Sequence, residues 1–503
     1  MIQNILASSR FVNLIRTISS WLSGIVRSSF VFSFISRREK LSSAFNSSSI
    51  GAVLNNSSEK LTNSLKRIGA FLDKALANTL TLWLVKWVGE RFYALFYVFM
   101  IAHSLLFFEF YRNPITVAAI VILFISLTVR TAFSKDTSLD LKRIDPAFLL
   151  YFAAILFSAL FSLFGSGASS ASITTSILYL SSILFTFIIA NSFNDKKRLY
   201  HLINTFVYST FIMSVYGIYQ FIKRVPVDTT QVDQTTGGAS MSMGRVSSTL
   251  GNPNVLAGWL ILVIPFMVSF FFIAKGFWRK LLFFPVVAAA IACLTLTLSR
   301  SGWVGLVVAA AVYLFLLNWR LIPVFIVLGV ASLPFMPRFI LDRMTTIGAD
   351  TSSVYRFSLW AGSFRMALDN WLTGIGIGLE YFQRYFKNYI YMQYDQNPVH
   401  SHMLILQIWL ESGICAVFSF LWFCIRLIKK ALLSSVSGAG KSDIDYLIMA
   451  CISSVVGFLA LGFFEYVWFF PRCMNMFFIV IGVFMCALDL KRASPVTQVG
   501  SQE

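Results

Sequence analysis

The chain has 503 residues, of which 57% are hydrophobic and 13% charged, and its formal net charge is +19. Soluble domains carry about 25% charged residues, so an ordinary water-soluble globular fold is excluded. A basic excess spread between apolar runs reads as an orientation signal in a membrane rather than as a nucleic-acid surface.

The first 92 residues are rich in Ser and Asn, with 12 Lys/Arg against 4 Asp/Glu. Phe11, Leu14, Ile15, Ile18, Trp21, Leu22, Ile25 and Val26 recur at helical spacing with Arg10, Arg16 and Arg27 between them. That pattern predicts an amphipathic helix on an anionic membrane surface. A second apolar stripe runs through Leu61, Leu65, Ile68, Leu72 and Leu76. No clean apolar core precedes a small-residue site, so no cleavable secretory signal is expected.

Residues 93–490 read as a transmembrane domain. Apolar runs near the roughly 20 residues that a bilayer requires fall at about 93–111, 115–129, 146–164, 171–192, 202–222, 254–274, 281–299, 302–317, 321–336, 403–426, 446–465 and 474–490. The expected fold class is therefore all-α, a polytopic integral membrane protein of about twelve spans. A long loop, 337–402, precedes the tenth, and 491–503 form a tail. With both termini in the cytoplasm, 29 of the 41 Lys/Arg fall on the cytoplasmic side. Of the remainder, six lie in the long loop, whose length makes it weak evidence for orientation. The plasma (inner) membrane and an extracytoplasmic loop 337–402 follow as expectations.

The six cysteines include no C-x-x-C pair and mostly lie inside apolar runs, so they read as small buried hydrophobes, not a disulfide framework or zinc site.

Three segments assigned to the outer face carry candidate chemistry. "GRVSSTLGNPN" holds Arg245, "SRSGW" holds Arg300, and "SSVYRFSLW" holds Arg356. An arginine between two apolar runs is costly unless it is paired or faces water. A guanidinium fork matches phosphate oxygens bidentately, and Ser299, Ser301 and Gly302 leave room for a ligand beside Arg300. Snorkelling to lipid headgroups is the structural alternative. "GIGIG" (Gly374, Gly376, Gly378) lacks the strand–turn–helix context of a nucleotide loop and reads as a turn packing on the membrane domain.

"NPVHSHM" ends the long loop with two of the four histidines. Residues two apart on a helix diverge by about 200°, so His400 and His402 are not expected to share a metal ion, and no cofactor is expected. Imidazole suits a general base or a phosphate ligand. Gln407 and Glu411 follow four apart on one helical face as further substrate-binding candidates, and His400 and Glu411 are alternative bases.

The order and outward placement of "VYGIYQ", "GRVSSTLGNPNVLAGWL", "LSRSGWVGL", "YRFSLW", "WLTGIGIGLEYF" and "HSHMLILQIWLESGI" resemble the O-antigen ligase and O-antigen polymerase (Wzy) superfamily over roughly residues 200–425. The resemblance implies glycosyl transfer from a polyprenyl-diphosphate-linked glycan, usually undecaprenyl diphosphate. The acceptor is a glycan or lipid in surface-polysaccharide or lipopolysaccharide assembly at the cell envelope, and neither metal nor nucleotide takes part. The matching positions are Arg245, Arg300, Arg356 and His402. Members often have Asn directly after the second histidine, where this chain has Met403. On this reading the arginines hold the diphosphate, His402 is the base, membrane lipids surround the chain and nucleic acid is no partner. The competing class is a transporter or flippase for a lipid-linked or anionic solute, which would show internal repeats and helices broken near mid-bilayer.

Overall fold

Helix starts are written locally in the chain. Asn252 Oδ1 accepts from the N–H of Asn254 and Val255, with Pro253 at the first helical position, and Ser299 caps the following "SRSGW" helix through Gly302 N–H. Ser442 and Asp445 form a reciprocal capping box. In the computed structural model the described residues are 41–110, 113–134, 137–164, 170–225, 244–345, 351–389, 398–436 and 441–493.

They form helices joined by turns, with no strand among them. Before the membrane domain come α1 (Leu41–Ser47), α2 (Ser49–Ala75) and α3 (Leu80–Glu90). There follow α4 (Phe92–Leu105), α5 (Asn113–Phe133), α6 (Pro146–Phe164), α7 (Ser170–Ser192) and α8 (Lys196–Lys223). The second half holds α9 (Pro253–Ile273), α10 (Phe277–Leu296), α11 (Arg300–Asn318) and α12 (Leu321–Ser332). The loop helices are α13 (Arg338–Thr345), α14 (Thr351–Asp369) and α15 (Leu379–Phe386). The last are α16 (Leu404–Val436), α17 (Asp443–Gly462) and α18 (Pro471–Ala493).

Ten of these are long and apolar enough to cross a membrane, and Phe92–Leu105 and Leu321–Phe335 are shorter apolar helices. The chain is a polytopic helical membrane protein. The sequence pattern makes the second and eighth runs the short ones; the structure extends both and shortens the first and ninth instead. Helical geometry carries through the polar flanks Asn113 and Arg300, where hydropathy stops.

Helices α9, α17 and α18 form the centre: 89% of the apolar stretch of α18 is buried, against 22% for α10. Lipid offers no hydrophobic drive between helices, so close packing needs small residues. A Cβ on Gly305 of α11 would meet Gly457 O of α17 at 2.8 Å, and one on Gly302 would meet Ala257 of α9 at 2.6 Å. The glycines of "SRSGWVGL" thus press the start of α11, and Arg300 with it, onto the central helices. Buried side-chain bonds add to this, including Trp259 Nε1 to Thr210 and Ser182 to Asn475.

The described residues of the segment 337–402 are themselves largely helical. "GIGIG" packs as expected on the membrane domain: Gly374, Gly376 and Gly378 all have positive φ, and Ile375 N–H donates to Leu410 O. Gly413, at φ 74°, interrupts α16 opposite that turn, where a Cβ would lie 2.0 Å from Leu372 O. No other residue type fits there without moving the backbone.

Of the two N-terminal stripes, residues 11–26 lie outside the described residues. The second stripe is on α2, but the face turned to the chain is a different one: Gly51, Ser58, Thr62 and Gly69 are buried, while Leu61 and Ile68 are exposed. Small residues win the inner face because α2 approaches the end of α5 at backbone distance, with Gly69 against Ala132 O.

At the end of the bundle away from His402, Asp145 is buried with Arg426, whose Nε and Nη2 donate to it at 2.9 and 3.0 Å, and with Lys430. Asp145→Ala would leave a buried guanidinium uncompensated and should cost about 3–5 kcal/mol, read as a lower thermal midpoint in detergent. A variant melting with the parent would show that this cluster holds nothing together.

Candidate active site at one end of the bundle

Five segments meet at the end where α11, α16 and α18 begin: 244–254, 297–302, the first turns of α14, 398–411 and the α17–α18 turn. Their common point is Glu465, a residue to which the sequence reading assigned no role. Its Oε1 lies 2.7 Å from His402 Nδ1 and accepts from Tyr466 N–H. Its Oε2 accepts from Arg356 Nη2 at 2.9 Å and Asn254 Nδ2 at 2.8 Å. Asn254 in turn accepts from Arg245 Nη2, whose Nε donates to Thr297 O at 3.0 Å. Thr297 stands three residues before Arg300, whose side chain is partly buried at the start of α11. Three predicted residues, Arg245, Arg356 and His402, thereby reach one locality from three separate segments, and Arg300 begins α11 three residues beyond Thr297.

Burial would raise the Glu465 carboxyl, but His402 and Arg356 outweigh it and hold it well below the usual carboxylate range. Arg356 Nε is buried and finds no partner among the described residues. A buried donor of this kind calls for an explanation, and an anionic ligand supplies one.

The histidines are not on a helix. His402 has φ 53° and His400 lies in the same turn, so their ring centroids are 4.2 Å apart. The expectation that they diverge is corrected here. Their ligand atoms and a Glu465 oxygen lie within 4.8 Å of one another. Yet both oxygens of Glu465 already accept bonds, one of them from a guanidinium, which makes this a setting for anions more than for a cation.

The two rings are distinct. A carboxylate only accepts, so His402 Nδ1 carries the proton toward Glu465 and Nε2 is the basic nitrogen. His400 Nδ1 accepts from His402 N–H at 3.2 Å, so neutral His400 carries its proton on Nε2. Burial first, then the neighbouring His402, push His400 well below its usual value. His402 is thus arranged as a base and His400 as a neutral donor.

Glu411 and Gln407 do share a face, with Gln407 Nε2 donating to Glu411 Oε1 at 2.9 Å. They do not join the arginines. Glu411 instead accepts from Tyr179 at 2.7 Å, and Tyr179 bonds Tyr466, so this second carboxylate braces the same α17–α18 turn from the other side. Gln407 Oε1 also accepts from Ser401 N–H, fixing the histidine turn. Met403 is packed against a small apolar cluster that includes Leu359, Phe382 and Leu406.

Two of the groups that the sequence reading missed carried a signal. Glu465 is the only acidic residue between Asp445 and Asp489, and Arg472 the only basic one between Lys441 and Lys491. Lone charges in apolar sequence mark functional positions. Arg472 is buried and donates to Thr249 O at 3.2 Å. Asn254, Tyr179 and Tyr466 had no such signal.

Apolar helices with an arginine–histidine–carboxylate cluster at one end define a polytopic membrane protein with a buried, hydrogen-bonded charge cluster. Residues 285–421 match the O-antigen ligase family, a span that holds Arg300, Arg356, His400, His402, Gln407 and Glu411 but not Arg245 or Glu465. That segment is similar to O-antigen ligases, which supports the resemblance to the O-antigen ligase and polymerase superfamily and a role of that type in surface-polysaccharide assembly. No curated protein matches the chain.

Because Glu465 has a lowered folded-state pKa, its stabilisation is fully present above the ordinary carboxyl value and is lost as pH falls through the lowered one. The gap in melting temperature between the parent and Glu465→Gln should be constant above about pH 5 and shrink in acid. Detergent melts across that range test this, and a gap independent of pH would place the stabilisation elsewhere.

Proposed function

We propose that this protein transfers a glycan from a polyprenyl-diphosphate carrier, undecaprenyl-linked in the superfamily, to an acceptor hydroxyl on the extracytoplasmic face of the inner membrane. The observation that carries this is the Glu465 node. It presents arginines from separate segments around a histidine whose basic nitrogen is fixed by a carboxylate. The acceptor oxygen attacks the anomeric carbon as the bond from that carbon to the diphosphate oxygen breaks. The bonding pair leaves with the diphosphate, and the hydroxyl proton passes to His402 Nε2.

Charge grows on the departing diphosphate in the transition state, so pre-placed cations stabilise it more than the ground state. Arg245, Arg300 and Arg356 have that role. Glu465 is a positioning residue, holding the His402 tautomer as the carboxylate of a catalytic triad does. His400, as a neutral Nε2–H donor, binds a substrate oxygen. Cation-rich surroundings support chemistry without a divalent ion, since the arginines supply the charge a metal would.

The excess of Lys/Arg assigned to the opposite end supports cytoplasmic termini and an extracytoplasmic site. The exposed apolar side chains Ile50, Val53, Ile68 and Phe71 of α2 suit contact with the leaflet on the cytoplasmic side. The transport reading has less support, because the arginines and histidines gather at helix ends.

Arg300→Ala should lower turnover about 10²–10³-fold with normal membrane insertion. His402→Ala should lower kcat about 10²–10⁴-fold with little change in donor affinity. The assay is conversion of a labelled prenyl-diphosphate oligosaccharide by purified protein in detergent with EDTA. Turnover near the parent level in Arg300→Ala would reject the diphosphate role, and abolition by EDTA would reinstate a metal at His400, His402 and Glu465. A growing ladder of products would mark a polymerase, and a single product dependent on added acceptor a ligase.

A further inference from the structure

Beside the histidine turn lies a cavity of about 480 Å³, within the size range of small-molecule sites. It is formed by the starts of α5, α7, α15 and α16 with the α17–α18 turn. Part of its wall is apolar and aromatic, with Phe108, Leu379, Phe469 and Phe470; part carries Thr174, Thr175, Tyr179, His400, Gln407 and Glu411, and Phe469 packs on the His400 ring. Neither His402 nor any of Arg245, Arg300, Arg356 and Glu465 lines it. His400 is the shared wall: it faces the cavity, and its ring packs on His402, which contacts Glu465.

We propose that this cavity is the sugar subsite for the acceptor, with Glu411, Gln407 and His400 as its hydrogen-bonding wall. The proposal rests on the glycosyl-transfer reading and adds to it which part of the substrate lies where.

Three arguments select the occupant. Among the described lining residues there is no Lys or Arg, and Glu411 is the only acidic one, so a phosphate or acidic sugar there would find no counter-charge. The diphosphate belongs with the arginines. A prenyl chain would strip water from a carboxylate, an amide and an imidazole without returning hydrogen bonds, which is unfavourable. A neutral sugar ring satisfies both parts of the wall, with C–H faces against aromatic rings and hydroxyls against the polar groups.

Geometry then separates acceptor from donor. In a displacement the attacking oxygen and the leaving oxygen stand on opposite sides of the carbon, as in glycoside hydrolysis. With the leaving diphosphate at the arginines, the attacking hydroxyl comes from the other side of the histidine pair, where the cavity is. A hydroxyl at its His400 edge is one ring's width from His402.

The test uses full-length protein in detergent and two variants of opposite kind. Thr175→Trp fills the cavity, and Phe469→Ala strips its aromatic wall. The probes are farnesyl diphosphate for the arginine cluster and the free repeat-unit oligosaccharide, released by mild acid from the source's own surface polysaccharide, for the cavity. Both variants should bind farnesyl diphosphate within about twofold of the parent, which also shows that they are folded. Each should bind the oligosaccharide at least about tenfold more weakly, a loss within reach of one or two hydrogen bonds or a lost aromatic contact. In turnover, KM for added oligosaccharide should rise while KM for the donor stays.

Unchanged oligosaccharide binding in both folded variants overturns the proposal. A rise in donor KM alone also overturns it, assigning the cavity to the donor's own glycan. Weaker farnesyl diphosphate binding in folded variants assigns it to the carrier. If Arg356→Ala leaves farnesyl diphosphate binding untouched, the glycosyl-transfer reading itself fails at the arginines, an outcome separate from those for the cavity.

Discussion

A single buried carboxylate organises this end of the molecule. Glu465 could not be ionised there alone, since burial disfavours the charge, and it is held ionised by His402, Arg356 and Asn254, with Arg245 behind Asn254. Each partner comes from a different segment, so the charge requirement of one side chain becomes a requirement on where α9, α14, α16 and the α17–α18 turn begin. Removing any one partner leaves the others facing an imbalance, which is why the cluster acts as a unit.

The backbone bears the cost of bringing these segments together. Among the described residues, five that are not glycine have positive φ, and three of them, Ser248, Leu298 and His402, lie in the segments that frame the site. Such conformations cost on the order of 1–3 kcal/mol each and persist where the surroundings over-determine them. Ser248 is held by Gln220 and by its own hydroxyl on Met213 O, and His402 by His400 and Glu465. At His402 the left-handed turn is what lays two rings side by side and points Nδ1 at the carboxylate.

Glu411 is the complementary brace. It fixes the α17–α18 turn through Tyr179 and Tyr466 while Glu465 fixes it through His402, so one short turn is tied on two sides to α16. The kink at Gly413 lets α16 carry both tasks. It accommodates the "GIGIG" turn and keeps 404–412 positioned above the continuing helix 414–436. The anion-facing cluster and the neighbouring cavity are consequently two compartments with the histidine pair as their partition.

The sequence by itself determined the membrane fold, because a bilayer imposes length and apolarity on every span and those properties are readable residue by residue. It also singled out the candidate side chains, since arginines at "GRV", "SRSGW" and "YRF" and histidines at "HSH" are exceptions in an apolar chain. Only the tertiary structure decided how they are grouped. Arg356 reaches Glu465 directly and Arg245 through Asn254, each from more than a hundred residues away, and hydropathy holds no record of those contacts. Period-based reasoning put the histidines on diverging helical faces, whereas a left-handed residue made them converge. Gln407 and Glu411 were found as residues on one helical face, but their tyrosine and Ser401 partners were not, because a helical face says which side chains align and not what stands opposite. The lone Glu465 was visible in an apolar stretch, but its meaning depends on charges that folding alone brings to it.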